Sequence, residues 1–220
     1  MEMGAADRRQ MAKDRRQEPP KTSRWPRTDR RQQRVAAVLA RRQPDLTVVL
    51  ENVHDPHNVN AVLRSCDGVG ILRVHLVYTV EEPPDGLFAR TTSASAAKWV
   101  EAERHASIGD CYAALRREGF AIVATAVGAG SADLYDTDLT APVAIVFGNE
   151  MRGISDDART GADSLLAIPM MGMVESLNIS VACAVTLYEA LRQRRAAGAY
   201  ARPKLAAEDL AHLEDDWLRR

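Results

Sequence analysis

The chain has 220 residues, of which 46% are apolar and 27% are charged, and its formal net charge is −1. A chain of this size and composition buries one substantial hydrophobic core, and it contains no apolar run of about 18 residues that would cross a membrane. The first 30 residues carry charge and proline where a secretory signal needs an apolar stretch. We therefore expect a soluble, cytoplasmic protein without a membrane partner.

The positive charge is concentrated near the amino terminus. Residues 1–42 contain 13 Lys or Arg against 5 Asp or Glu, whereas the remaining 178 residues contain 16 against 25. Residues 1–33 are rich in Arg, Gln and Pro and poor in aliphatic side chains, so we predict a flexible basic arm that precedes a domain at residues 34–220. An arm of this kind serves either solubility or a polyanion such as nucleic acid, and the excess of arginine over lysine favours the polyanion.

The cysteines and histidines show no metal-ligand spacing along the sequence. Cys66, Cys111 and Cys183 lie far apart without a Cys-x-x-Cys pair, and the five histidines form no His-x-x-x-His pattern. We therefore interpret them as buried or neutral residues and expect no metal.

Predicted strands and helices alternate along the chain. Apolar residues recur at spacings of three and four in the helices, and short runs of β-branched or apolar residues mark the strands. The helices are predicted from residue 30 to before residue 44, at 58–69, from 107 to 119, briefly after 155, and at 177–197; the strands at 47–50, 73–78, 98–103, 120–127, 143–147 and 165–168. The alternation predicts an α/β fold with a parallel or mostly parallel sheet and helices on both faces.

Three distinctive loops follow predicted strands, at residues 51–58, 148–153 and 169–178. Ligands of such sheets bind beyond the carboxyl ends of the strands. In the third loop, Ser176 and Asn178 lie close to a helix start, where side chains and free backbone N–H groups meet polar ligands. An ordinary helix N-cap explains the same residues equally well.

The helix at 58–69 turns one arginine away from its apolar side. Its apolar residues fall within an arc of about 120°, and Arg64 projects from the opposite side beside Asn60 and Asp67. Arg64 is therefore either a solvated arginine paired with Asp67 three residues later or a functional side chain.

A dinucleotide-binding fold shares the same alternation of strands and helices. However, the glycine pair of Gly68 and Gly70 precedes a strand, and the pair of Gly128 and Gly130 lacks a third glycine and a helix start. The sequence therefore supports ordinary dinucleotide binding poorly.

Three long motifs occur in order at residues 41–64, 147–153 and 168–180. Together they resemble the motifs of SpoU-type RNA ribose 2′-O-methyltransferases, within the SPOUT superfamily. Among these enzymes the chain most resembles those that methylate guanosine 18 in the D-loop of tRNA. The similarity runs from about residue 34 to residue 220.

The resemblance implies a fold, a cofactor and partners. It implies an α/β fold with a deep trefoil knot near the carboxyl end, S-adenosylmethionine as cofactor, tRNA as substrate, and a homodimer whose active sites draw on both subunits. The residues implied to surround the cofactor are Thr125, Gly148, Ile168, Met170 and Leu177. The polar positions implied to act in catalysis or to fix the site are Asn58, Arg64, Glu150, Ser176 and Asn178.

Methyl transfer to a ribose requires activation of a weakly nucleophilic hydroxyl. The resemblance gives this task to Arg64, but a guanidinium normally keeps its protons. Either a neighbouring phosphate and burial lower its proton affinity, or Arg64 orients the ribose phosphate and water takes the proton. Asn58 and Asn178 are suited to fix Arg64 or the sugar, Glu150 to hold that network, and Ser176 to shape the pocket.

The helix at 177–197 is the predicted dimer surface, because its apolar stripe is wide. The stripe consists of Leu177, Val181, Ala184, Tyr188 and Leu191. Two alternative functions stay open at this point: the same chemistry on ribosomal RNA, and a non-catalytic RNA-binding protein that kept the fold.

Overall fold

The computed structural model describes residues 28–80, 96–128 and 130–220. Its strands are β1 (Leu46–Glu51), β2 (Arg73–Val77), β3 (Glu101–His105), β4 (Ala121–Thr125), β5 (Ala132–Asp133), β6 (Val143–Phe147) and β7 (Ser164–Ala167). Its α-helices are α1 (Asp29–Leu39), α2 (Pro56–Val69), α3 (Ile108–Arg117), α4 (Asp156–Gly161), α5 (Ile179–Ala196) and α6 (Ala207–Arg219). The strands form one sheet in the order β3-β2-β1-β6-β4-β7-β5, and every pairing is parallel. The predicted α/β class is confirmed.

Helices cover both faces of the sheet, and each face has its own hydrophobic core. On one face α2 and α5 contribute Val62, Leu63 and Leu187, together with the other buried residues of that cluster. On the other face α3 and α4 contribute Leu115 and Ala158. The central strands β1 and β6 are buried along their whole length, which explains why they read as continuous apolar runs.

A smaller cluster joins the two ends of the described chain. Val35 and Leu39 of α1 pack against Trp217 and Leu218 of α6. Residues 29–33, which the sequence assigned to the basic arm, therefore lie in the first part of α1. Residues 1–27 of that arm lie outside the described residues.

Side-chain caps fix several helix starts where the sequence placed them. The Ser107 hydroxyl accepts a hydrogen bond from the Asp110 backbone N–H at 3.0 Å, and the Ser155 hydroxyl accepts one from Ala158 at 3.1 Å. Helix α2 starts two residues earlier than predicted, because Asp55 caps it and Pro56 suits the first turn, where its missing N–H is not needed.

Two local predictions are wrong. The strand expected at 98–103 is displaced to Glu101–His105, because a 3₁₀ turn at Ala96–Lys98 precedes it. Residues 128–140, for which the sequence predicted neither strand nor helix, contain β5 and a 3₁₀ turn at Leu134–Asp136. Most of residues 79–86, where likewise no strand or helix was predicted, lie outside the described residues. Among the helices of the described ranges, none is both long and apolar enough to span a membrane.

Candidate active site

A cavity of about 410 Å³ lies at the carboxyl edge of the sheet, among the loops that follow β4, β6 and β7. Its wall includes all five residues proposed from the sequence to surround a cofactor: Thr125, Gly148, Ile168, Met170 and Leu177. Glu150 and Ser176 also line it. Its volume falls in the range of roughly 300–1,000 Å³ that small-molecule sites occupy.

The loop at 148–153 closes tightly on itself and forms one wall of the cavity. The backbones of Asn149 and Gly153 exchange two hydrogen bonds, at 3.0 and 2.8 Å. A Cβ at Gly148 would lie 2.2 Å from the Gly153 carbonyl carbon, so only glycine fits there. The Asn149 side chain donates to the Asn52 carbonyl at 2.9 Å, which ties this loop to the one after β1.

A chain of hydrogen bonds joins one residue from each of the three sequence motifs. Asn58, in the first turn of α2, donates from Nδ2 to Glu150 Oε1 at 2.7 Å. Its Oδ1 accepts from Asn178 Nδ2 at 3.2 Å. Three loops that are distant in sequence therefore meet at one polar cluster beside the cavity, which we call the Asn58 network (Asn58, Glu150 and Asn178).

Asn178 has two structural tasks. Its Oδ1 accepts hydrogen bonds from the backbone N–H and the hydroxyl of Ser180, at 2.9 and 2.6 Å, and so caps α5. Its Nδ2 donates to Asn58. The two interpretations of this residue from sequence are therefore compatible, because the oxygen caps the helix while the nitrogen joins the network.

Arg64 lies outside the Asn58 network. It is exposed on α2, six residues after Asn58, which corresponds to about 9 Å along the helix axis and about 120° around it. The structure shows no pairing of Arg64 with Asp67, whose Oδ1 accepts instead from Arg42 Nη2 at 2.6 Å. In the part of the chain that the structure describes, the Arg64 guanidinium has no hydrogen-bond or ion-pair partner.

Ser176 lines the cavity and is exposed. Among the described residues it makes no hydrogen bond to the other four polar residues. The structure thus brings Asn58, Glu150 and Asn178 together, places Ser176 beside them on the cavity wall, and leaves Arg64 on the surface.

The sequence analysis missed two residues, Glu51 and Asn52, that hold the loop after β6 in place by hydrogen bonds. Glu51, at the end of β1, is 2% exposed and accepts hydrogen bonds from the Ser155 backbone and hydroxyl at 2.8 and 2.6 Å. Asn52 has a φ of +53°, and its Oδ1 accepts from the Thr79 backbone at 2.9 Å. The available signal was an acidic residue and an asparagine directly after the strand predicted at 47–50, since asparagine tolerates a left-handed turn.

Apolar side chains stand exposed around the cavity and along α5. Met151, Met171 and Met173 are 95%, 94% and 99% exposed. On α5 the core is formed by the side that carries Cys183 and Leu187, whereas Val181 and Tyr188 of the predicted stripe face outwards.

The comparisons with known proteins agree with this architecture. Residues 45–188 match the model of the SpoU rRNA Methylase family. The chain therefore belongs to the SpoU methylase family, and the resemblance of its three motifs is confirmed.

One relative and two solved structures define its position in the family. The chain is 46% identical over 195 residues to the tRNA (guanosine(18)-2′-O)-methyltransferase of Thermus thermophilus, covering 88% of this chain and 98% of that one. The TrmH/SpoU tRNA modifying enzyme of Aquifex aeolicus superposes with a TM-score of 0.76 at 35% identity, covering 86% and 95%. The AdoMet-bound rRNA methyltransferase of Sinorhizobium meliloti superposes with a TM-score of 0.60 at 29% identity, covering 71% and 59%.

Proposed function

We propose that this protein transfers a methyl group from S-adenosylmethionine to the ribose 2′-oxygen of guanosine 18 in the D-loop of tRNA. The observation that carries the proposal is the placement of one cavity, lined by the five candidate cofactor residues, directly beside the Asn58 network. Similarity over almost the whole length of a tRNA enzyme favours tRNA over rRNA, because the rRNA enzyme is covered over only 59% of its length.

The residues of the cavity suit the proposed cofactor. The backbone of the loop at 148–153 and the side chains of Ile168, Met170 and Leu177 offer a mixed polar and apolar wall. Thr125 is fixed there because its hydroxyl donates to the Val146 carbonyl at 2.8 Å. S-adenosylmethionine, when bound, supplies a methyl group activated by a sulfonium.

The polar residues position and activate the nucleophile. Glu150 accepts a hydrogen bond from the amide of Asn58, and Asn58 accepts one from that of Asn178, so the three side chains of the Asn58 network are already connected without RNA. Such preorganisation places the ribose hydroxyl in line with the methyl group. Arg64, which has no partner among the described residues, orients the ribose phosphate with its planar fork of donors while water accepts the hydroxyl proton.

Methyl transfer to defined RNAs tests the reaction and its target together. Protein is incubated with methyl-labelled cofactor and either tRNA or rRNA, and the product is mapped nucleoside by nucleoside. We expect label in 2′-O-methylguanosine at position 18 of tRNA and none in a transcript in which that guanosine is replaced by its 2′-deoxy form. Label in rRNA alone would identify an rRNA enzyme, and cofactor binding without transfer to either RNA would identify a non-catalytic RNA-binding protein.

The active form is proposed to be a cytoplasmic homodimer with a trefoil knot near the carboxyl end. The exposed apolar surface of α5, including Val181 and Tyr188, supports an interface between two copies. The position of Arg64 outside the Asn58 network supports a site that takes Arg64 from one subunit and the network from the other. Light scattering should report a dimer at assay concentration, and Tyr188→Asp should lower the dimer fraction without unfolding the chain, because Tyr188 is 54% exposed.

Mixed dimers test whether the site is shared. Arg64→Ala and Asn58→Ala chains are each expected to be inactive alone. If each site combines residues from both subunits, a dimer of one variant with the other contains one intact site, and activity returns. If each site belongs to a single chain, both sites of the mixed dimer are damaged and no activity returns.

The basic arm at residues 1–33 is proposed to contact tRNA phosphates. Deleting residues 1–27 should weaken tRNA affinity and reduce the slope of log K against log salt by roughly 0.7–0.9 for each lost phosphate contact. The methylated nucleotide should not change, because the cavity and the Asn58 network remain. An unchanged slope would leave the arm with a role in solubility.

A further inference from the structure

Two histidines and a cysteine meet on the face of the sheet that carries α3. His75 Nδ1 and His105 Nε2 are 2.9 Å apart, and the ligand atoms of His75, His105 and Cys111 all lie within 4.8 Å of one another. His75 is 2% exposed, Cys111 is fully buried, and the His105 side chain is 8% exposed. The cluster lies at the β2–β3 edge of the sheet, and β1 separates it from the strands that carry the cavity.

Sheet register brings these residues together although they are distant in sequence. In the parallel pair of β2 and β3, His75 lies opposite Glu103 and Val77 lies opposite His105. Residues two apart on a strand share a face, so His75, Glu103 and His105 point to the same side. Helix α3 packs on that side and adds Cys111.

Glu103 supplies a fourth ligand position. Its Oε1 lies 3.8 Å from His105 Nε2, and its Oε2 lies 3.9 Å from His75 Nδ1. The Arg73 guanidinium holds Oε2 at 3.1 Å, so the carboxylate is already oriented beside the two imidazoles.

We propose that His75, His105, Cys111 and Glu103 bind one Zn²⁺, which fastens the edge strand β3 to β2 and α3. One thiolate, two imidazoles and one carboxylate are ligands that zinc accepts in a tetrahedral site. In such a site neighbouring ligand atoms stand roughly 3.3–3.7 Å apart; here His75 Nδ1 and His105 Nε2 are 2.9 Å apart, and no two of the three ligand atoms of His75, His105 and Cys111 are more than 4.8 Å apart. The charges of the thiolate and the carboxylate balance that of the ion.

A metal link would stabilise strand β3, which lies at the edge of the sheet. None of its five residues is buried, and three of them are charged. An edge strand with no buried residue pairs its backbone with β2 on one side only, and a metal that joins it to β2 and α3 restrains it further.

Zinc content and cobalt spectroscopy test the proposal. The full chain, produced without a histidine tag, is equilibrated with zinc, separated from free metal and assayed for metal by mass spectrometry. We expect one zinc per chain, and in cobalt-substituted protein a thiolate-to-metal absorption band. Zinc should also raise the midpoint of thermal unfolding of apo protein.

Matched variants distinguish zinc bound at this site from zinc bound nonspecifically elsewhere on the protein. Cys111→Ala should abolish the thiolate band, whereas Cys66→Ala, which removes another buried cysteine, should keep it. His105→Gln, on the edge strand β3, should lose the zinc even if Cys111→Ala fails to fold, and His212→Ala, an exposed histidine, should retain it. Two results would overturn the proposal: the wild-type chain holds no zinc after reconstitution, or the His105→Gln variant still holds it. The contact between His75 and His105 would then be a hydrogen bond between neutral side chains.

Discussion

Helix α5 carries a polar cluster at each end, and the two clusters are built in opposite ways. At its start, Asn178 belongs to the exposed Asn58 network, in which each link is a single hydrogen bond. At its end, Arg194 is fully buried, and its five N–H groups donate to Leu139, Gln43, Asp45 (twice) and Ala141. The first cluster has donors and acceptors to spare for a ligand, whereas the second has used all of its donors within the protein.

This difference indicates that the two ends serve different purposes. A polar group with unused hydrogen-bonding capacity at a cavity is available for chemistry. A buried guanidinium with all donors satisfied cannot bind anything else, and it fixes α5 against the loop that precedes β6. Substitutions at the start of α5 should therefore affect catalysis first, and those at its end should affect folding first.

The largest expected effect is on methyl transfer, at Arg64, which we propose acts together with the Asn58 network of the other subunit. Arg64→Ala should lower single-turnover transfer by about two to four orders of magnitude, because the ribose is no longer oriented, while cofactor affinity and thermal stability stay near those of the wild type. Rapid-quench measurement with labelled cofactor gives the rate. Arg64→Lys should remain strongly impaired, because it keeps the charge but loses the planar fork.

Arg117→Ala is the matched control, since Arg117 lies on α3 across the sheet from α2. It should leave the rate unchanged. Near-normal turnover of Arg64→Ala would remove Arg64 from the active site.

The second largest effect is on stability, at Arg194. Arg194→Met should lower the free energy of unfolding by about 3–5 kcal/mol, because it leaves the carbonyl acceptors around Arg194 unpaired and the Asp45 carboxylate with Lys204 as its remaining partner. Equilibrium urea unfolding at fixed protein concentration measures the loss. Arg195→Met, which changes the exposed neighbour, should cost little, and an equal loss in both variants would show that the Arg194 contacts do not matter.

The sequence pointed to the residues of the cluster at the start of α5 but not to those of the cluster around Arg194, and the difference has a physical reason. Asn58, Glu150 and Asn178 were singled out by the resemblance of three ordered motifs, and the loops after the strands were expected to meet, whereas the expected contact of Arg64 with Asn58 or Asn178 is not among the hydrogen bonds of the described residues. Arg194 gave no signal, because an arginine near the end of a polar helix segment is usually solvated, and only the packed loops reveal its burial. His75 and His105 likewise lie thirty residues apart and meet only through strand register.

Strands and helices were predictable from the sequence where a stretch of residues favours one type of secondary structure clearly. Strand β6 has its predicted bounds because five apolar residues stand between turn residues. Strand β5 was missed because a strand of two residues is too short to show an alternation of apolar and polar side chains. It forms by backbone pairing with the edge of β7. The apolar stripe of α5 predicted an interface, which stays a prediction, and only the structure distinguishes the exposed side of α5 from the side that faces the core.

A smaller, pH-dependent effect is expected at Asp45, which accepts from Arg194 and Lys204. Burial alone would raise the pKa of Asp45, but its hydrogen bonds and charge attraction to Lys204 and Arg194 outweigh burial, so the pKa lies below its ordinary value of 3.8. A lowered folded-state pKa means that the ionised carboxylate stabilises the fold above 3.8, and that this stabilisation is lost as the pH falls through the lower folded-state value. Asp45→Asn should therefore cost about 1.5–3 kcal/mol at neutral pH.

The difference between Asp45→Asn and wild type should shrink in acid, because both then carry an uncharged group. Unfolding free energies measured across the acid range test this. Asp136→Asn, at an exposed carboxylate, should show no such convergence. A cost for Asp45→Asn that stays constant down to the lowest pH would contradict the role of the charge.

The smallest effect is expected at Asn178, where the two tasks of one side chain can be separated. Asn178→Ala removes both the cap of α5 and the hydrogen bond to Asn58, so it should lower stability by about 1 kcal/mol and slow methyl transfer by about tenfold. Asn178→Ser keeps an oxygen that can cap the helix but loses the donor to Asn58. It should therefore keep the stability of the wild type and still slow transfer. If Asn178→Ser is fully active, then Asn178 acts only as a helix cap, and the Asn58 network ends at Asn58.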